Sequence, residues 1–253
     1  MSKLKVNNGE IFYSVFGESN TNIIVLIHGF ALDSRVWKLQ IDELSKRNKV
    51  IVYDLRGFGK SSEPNGEYDH VEDLYSLMKF LNIKKALIVG HSFGGAIAIN
   101  FALEHKKMVE GLILLSPSVH GYKVYNPFWE QLQELGRKGD KEGIKKKMLE
   151  HDMFDRFPID SEEYRFLKRF VSDYSCWHFL NKDRAKKYNA YERIEELKNI
   201  PIKVIYGDCE EASVKKIANM LRDNLGAEII KLKGVGHMSN LEKPELINKL
   251  IEN

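Results

Sequence analysis

The chain of 253 residues is 43% hydrophobic, enough for a full core, which excludes intrinsic disorder. Its 39 basic residues face 36 acidic ones, and a formal charge of +3 is too mild for a nucleic-acid partner, which needs a concentrated basic face. Apolar runs such as Ile23–Ile27 fall far short of the about 20 residues of a membrane span. No such run follows the charges of Lys3 and Lys5, so a cytoplasmic protein without a secretory signal or membrane partner is expected. Two cysteines, Cys176 and Cys209, make no disulfide framework, and reduced, buried thiols are the expectation.

Residues 10–16 alternate apolar and polar side chains, as an antiparallel edge region does. Residues 23–27, 50–53, 86–89 and 112–115 are short continuous apolar runs, the pattern of strands buried on both faces. Helical spacing lies between them, in Val36 to Leu44, in Val71, Leu74, Leu77, Met78 and Leu81, and in the segment after Ser92. Strands alternating with helices imply crossover units and a mostly parallel sheet covered on both faces. The alternation stops near residue 120. Residues 120–196 show helical periodicity, with Asn126-Pro127, Asp140 and Ser161 as helix starts and a fourth helix from Cys176 to about Lys187. Strand patterns resume at 202–206 and 228–232, with helices around 213–223 and 244–252. The division is therefore an α/β core of 1–119 and 197–253 with a helical insertion, 120–196, over one end of the sheet.

Gly90-His91-Ser92-Phe93-Gly94 follows a buried strand pattern and opens a helix. A nucleophile on a sharp strand-to-helix turn needs minimal bulk two residues before and after it, where the backbones approach closely. At a helix N-terminus, Ser92 also meets free N–H groups and the positive dipole end. A serine hydroxyl needs a base. His237, in a glycine-bearing loop just past the last strand pattern, lies at the carboxyl end of the sheet, where ligand chemistry gathers in open α/β folds. An orienting carboxylate is expected from Asp208, Glu210 or Glu211, at the same end after strand 202–206. The order serine, acid, histidine suits this chemistry. The oxyanion needs two backbone donors, assigned to the amides of Phe93 and Phe30. His28 is read as a brace for the Phe30 loop. No zinc-ligand spacing or phosphate-binding glycine loop appears, so a cofactor-free, metal-free mechanism is expected.

These residues together resemble the α/β-hydrolase superfamily, specifically its small capped serine hydrolases of carboxylesterase type. The resemblance rests on His28-Gly29-Phe30 with Trp37, Asp54-Leu55-Arg56-Gly57-Phe58-Gly59-Lys60-Ser61, Gly90 to Gly95, Ile200-Pro201 leading into Gly207, and Gly236-His237 with Glu242-Lys243-Pro244-Glu245. It implies an α/β-hydrolase fold with a helical cap after the sixth strand, and a scaffold role for Asp54, Arg56 and Ser61. The family's acid, normally aspartate, stands three residues past the glycine that ends its strand. That position is Glu210 here, favoured over Asp208, with Glu211 third. The alternative acid position in some relatives reads Ser116-Pro117 and carries no carboxylate. An aspartate nucleophile, as in related dehalogenases and epoxide hydrolases, is absent.

The expected function is hydrolysis of a small-molecule carboxylic ester or related acyl substrate through an acyl-enzyme. Rivals on the same triad are carbon–carbon bond hydrolysis, enol-lactone opening and a thioesterase or lyase role. A ligand sensor on a hydrolase scaffold is the non-enzymatic alternative. The aromatic side chains of the insertion, from Tyr122 and Tyr125 to Phe179, are expected to pack the cap and partly to line an apolar pocket.

Overall fold

The computed structural model describes residues 2–123 and 126–253; Met1, Val124 and Tyr125 lie outside them. Among the described residues eight strands form one sheet: β1 (Ser2–Val6), β2 (Gly9–Phe16), β3 (Ile23–Ile27), β4 (Lys49–Tyr53), β5 (Ala86–His91), β6 (Val109–Leu115), β7 (Ile202–Gly207) and β8 (Glu228–Leu232). Their order across the sheet is β1-β2-β4-β3-β5-β6-β7-β8. β1 and β2 run antiparallel and all pairs from β4 to β8 are parallel. The continuous apolar runs became the central strands, buried along nearly their whole length. The alternating run 10–16 lies one place in from the edge; the edge strand is β1, whose Lys3 and Lys5 are exposed where Leu4 packs on the core. Lysines on an outer strand discourage pairing with another chain.

Among the described residues ten α-helices accompany the sheet: α1 (Lys38–Leu44), α2 (His70–Phe80), α3 (Phe93–Glu104), α4 (Pro127–Arg137), α5 (Lys141–Met148), α6 (Glu162–Asp173), α7 (Trp177–Leu180), α8 (Ala212–Leu225), α9 (Ser239–Glu242) and α10 (Pro244–Glu252). α1 packs on α9 and α10, and α2 packs on α3. α3 is apolar around its circumference, and Gly94 through Ala102 are all buried, as a helix in the middle of a layer requires. The fold is thus the expected mostly parallel α/β arrangement.

Between β6 and β7 the described residues carry helices and one isolated bridge, Tyr68 to Ala185. Asn126, Asp140 and Ser161 each accept a hydrogen bond from a first-turn amide, as N-caps do. The helix expected from Cys176 to Lys187 is only the single turn of α7. Beyond it Asp183 accepts from the Ala185 amide and the Tyr68 hydroxyl, at 2.9 Å each, so the chain is held extended against the loop before α2. Cys176 is buried, whereas Cys209 is exposed, which corrects the expectation for that thiol.

Candidate active site

Five neighbouring parallel strands deliver the site. Hydrogen bonds continue the ladder past their carboxyl ends: Ser92 N donates to Leu115 O, Ser116 N to Ile205 O and Asp208 N to Leu232 O, each at 2.9 Å. The loops after β3, β5, β6, β7 and β8 therefore share one rim.

Ser92 has φ 52° and ψ −115°, a conformation costing a β-substituted residue about 1–3 kcal/mol and tolerated where the surroundings over-determine it. The surroundings explain the flanking glycines. A Cβ on Gly90 would collide with the Gly94 carbonyl. A Cβ on Gly29 would lie 2.7 Å from His91 Nδ1 and 3.3 Å from Ser92 Cβ, so its absence lets the loop after β3 press against the serine. The Ser92 carbonyl accepts from Gly95 N at 2.9 Å and Ser118 N at 3.1 Å, which fixes the turn from both sides.

His237 Nδ1–H donates to Glu210 Oε2 at 3.1 Å, with the Glu210 side chain fully buried. Of the three acids after β7, this is the one that meets the histidine. Asp208 accepts from Gly234 N at 2.7 Å, which holds its carboxyl below its ordinary value. Glu211 accepts from Asn126 and Ser213. The other oxygen of Glu210 accepts from Ser116 Oγ. The position where the sequence shows no carboxylate thus supplies a hydroxyl that steadies the acid. Burial pulls His237 down, but the charge and hydrogen bond of Glu210 outweigh it, and the imidazole titrates above its ordinary value.

The rest of the His237 loop is tied down. His91 Nε2–H donates to the His237 carbonyl at 3.0 Å, linking His237 to the residue preceding Ser92. Burial pushes His91 down to about 3, so it stays neutral. Gly236 N donates to both oxygens of Glu242, and Arg156 Nη2 donates to Gly234 O at 2.8 Å. Sequence reasoning missed Ser116 and His91; the empty acid position and the histidine beside the nucleophile were the available signals.

Ser92, Glu210 and His237 line one cavity of about 470 Å³ with Phe30 and Phe93. Among the described residues Ser92 Oγ and His237 Nε2 make no hydrogen bond, and both side chains line this cavity. The amides of Phe30 and Phe93 meet no acceptor among the described residues. The Phe30 loop is braced by buried His28, whose Nδ1–H donates to Gly29 O at 2.8 Å while Nε2 accepts from Leu55 N at 2.9 Å. The Phe30 ring packs edge-on against Phe58 and Phe93 of the core and against Trp129, Tyr174, His178 and Phe179 of the 120–196 segment, with centroids 5.1–6.1 Å apart. Asp54, Arg56 and Ser61 stand apart as scaffold. Asp54 accepts from Ser34 N and Lys60 N at 2.8 Å each, Ser61 Oγ donates to Asp54 O, and Arg56 pairs with Asp73. No group of three or more histidine, cysteine or acidic side chains able to hold a metal occurs among the described residues. No helix among them is long and apolar enough to cross a membrane.

A serine on a sharp strand-to-helix turn, an acid-paired histidine and two amides without an acceptor among the described residues share one rim of a parallel sheet. The model of the alpha/beta hydrolase family matches residues 24–250, and the chain belongs to that family. Epoxide hydrolase 3 of Xenopus tropicalis is 26% identical, aligned over 98% of this chain and 75% of its own length. The structure of a thermophilic esterase from Thermogutta terrifontis, with malate bound, superposes with a TM-score of 0.83 at 22% identity, over 100% of this chain and 97% of that one. That of an N-acyl homoserine lactone degrading enzyme does so with a TM-score of 0.78 at 25% identity, over 99% of each chain.

Proposed function

We propose that the protein is a serine hydrolase that cleaves carboxylic esters through an acyl-enzyme. Ser92 Oγ attacks the carbonyl carbon and its proton passes to His237 Nε2. The amides of Phe30 and Phe93 hold the oxyanion, each such donor contributing about 3–4 kcal/mol in comparable sites. Collapse breaks the bond to the alcohol oxygen, which takes the proton from His237. A water molecule, deprotonated by His237, then releases the acid and restores the serine. Glu210, steadied by Ser116, keeps the proton on Nδ1 so that Nε2 is free to accept. Residues 120–196 act as a cap over the 1–119 and 197–253 core, and no cofactor is called for.

The observation that carries this reading is the 3.1 Å hydrogen bond between His237 and buried Glu210, beside a cavity whose wall also holds Ser92. The test is Ser92→Ala. Turnover of short p-nitrophenyl esters should vanish while the melting temperature stays nearly unchanged, and retained turnover refutes the assignment. A cyclic ester is opened by the same steps, and the likeness to the lactone-degrading enzyme supports that second reading. A sensor on this scaffold would instead be labelled at Ser92 by a fluorophosphonate yet turn over no member of an ester panel.

A further inference from the structure

Beside the main cavity lies a second, smaller recess of about 40 Å³ that shares Ser92 and His237 with it. Its other walls are mostly apolar, with Leu32 from the loop after β3 and Phe128, Met148, Met153 and Val171 from the helical segment, and the imidazoles of His91 and His151 complete them. Leu32, Met148 and Val171 are buried, so the recess ends in packed side chains. A water-sized group needs about 10–15 Å³ of such space, so the recess takes about three or four of them.

The two spaces are not interchangeable in an acyl-enzyme reaction. The alcohol must leave while the acyl group stays on Ser92, and water must then reach the acyl carbon. A small recess walled by packed side chains suits the group that stays, and the larger cavity suits the group that departs. The charged lining of the larger cavity adds a constraint. Asp152, Asp183 and Glu211 line it beside Glu210, and among the described residues no lysine or arginine does. Burial would raise Asp152, but His151 and His237 beside it outweigh burial and keep it in its anionic form. A leaving group bearing a carboxylate or phosphate therefore meets like charge in a partly desolvated space.

Building on the serine-hydrolase reading, we infer that the substrate is an ester of a short acyl group with an uncharged or cationic alcohol. The acyl group, of up to about four carbons by the size of the recess, packs against Leu32 and Met148. The alcohol occupies the cavity bordered by Asp152, Asp183 and Glu211.

The experiment is a series of p-nitrophenyl esters from acetate to decanoate, assayed with the wild type, Met148→Ala and Met148→Leu. In the wild type kcat/KM should fall at least about tenfold from butanoate to octanoate. Met148→Ala should move the optimum to hexanoate or octanoate, while the nearly volume-conserving Met148→Leu keeps the wild-type profile. Val171→Ala replaces Met148→Ala if the latter does not fold. A wild type that favours octanoate over butanoate, or a folded Met148→Ala or Val171→Ala with an unshifted profile, overturns the acyl assignment. A second pair compares the acetyl esters of para-hydroxybenzoate and of its methyl ester, each normalised to its rate with hydroxide. The carboxylate should be at least about tenfold poorer, with the gap narrowing in salt and in Asp152→Asn. Equal rates overturn the charge assignment. Labelling of Ser92 by a fluorophosphonate separates the levels. If Ser92 is labelled and esters are cleaved with the wrong profile, only this inference fails. If neither occurs, the reading beneath it fails.

Discussion

Replacing Glu210 by glutamine keeps the shape of the side chain and removes its charge. At the observed 3.1 Å, an imidazolium on His237 and the carboxylate attract by about 5 kcal/mol at an effective dielectric of about 20. Glutamine also offers an N–H toward Nδ1. The imidazole then carries its proton on Nε2 and has no lone pair for the serine proton. Both effects act on the transition state, so kcat should fall by roughly 10²–10⁴, or about 3–5 kcal/mol. The pH profile provides a second readout. The base works only when neutral, so activity rises as pH climbs through the His237 titration. Glu210 lifts that titration above the ordinary value against the opposing effect of burial. In Glu210→Gln burial is opposed only by the smaller effects of Asp152 and Glu211, and the midpoint of the acid limb of kcat/KM should move to lower pH. The assay is steady-state hydrolysis of p-nitrophenyl acetate across the pH range, with thermal unfolding as a check of folding. Asp208→Asn is the control, because Asp208 bonds the Gly234 amide instead; it should cost less than about tenfold. A Glu210→Gln enzyme with near-normal kcat, or a larger loss in Asp208→Asn, refutes the reasoning.

Asp73→Ala would leave the Arg56 guanidinium, 1% exposed, without its partner and should destabilise the protein by about 3–5 kcal/mol in urea unfolding. The double replacement Arg56→Met with Asp73→Leu should recover most of that loss. His28→Ala leaves the Leu55 amide and the Gly29 carbonyl without the side chain that joins them. It should cost about 1–3 kcal/mol of stability and lower kcat more than it raises KM, since the Phe30 amide loses its brace. Gly90→Ala drives a methyl group into the Gly94 backbone and should destabilise by about 3 kcal/mol or more, seen as a fall in melting temperature.

The features legible in the chain are those whose cause is local. Gly90 and Gly94 announce a turn because a tight strand-to-helix junction has no room for side chains there. Asn126, Asp140 and Ser161 announce helix starts because each serves amides within three residues of itself. Buried strands show as unbroken apolar runs for the same kind of reason. β1 was readable in the alternation of Lys3 and Lys5 with Leu4 and Val6, but five residues with charged neighbours compete poorly with the stronger runs beyond. The turn of α7 lies in a stretch of helical composition, yet its continuation is set by the contact of Asp183 with Tyr68, 115 residues earlier.

The candidate site divides along the same line. Residue types and their loops were visible, and the family spacing favoured Glu210 as the partner of His237; the contacts that hold the two were not, because the order of strands in the sheet is not the order in the chain. Ser116 and Glu210 are 94 residues apart, and His91 and His237 are 146 apart. They meet because β5, β6, β7 and β8 lie side by side and their loops leave one rim. Three acids within four residues are equivalent to any local rule. Only the hydrogen bond of the Asp208 amide to Leu232 and that of its carboxylate to Gly234 turn Asp208 outward to its own loop, which leaves Glu210 as the residue that reaches inward to His237.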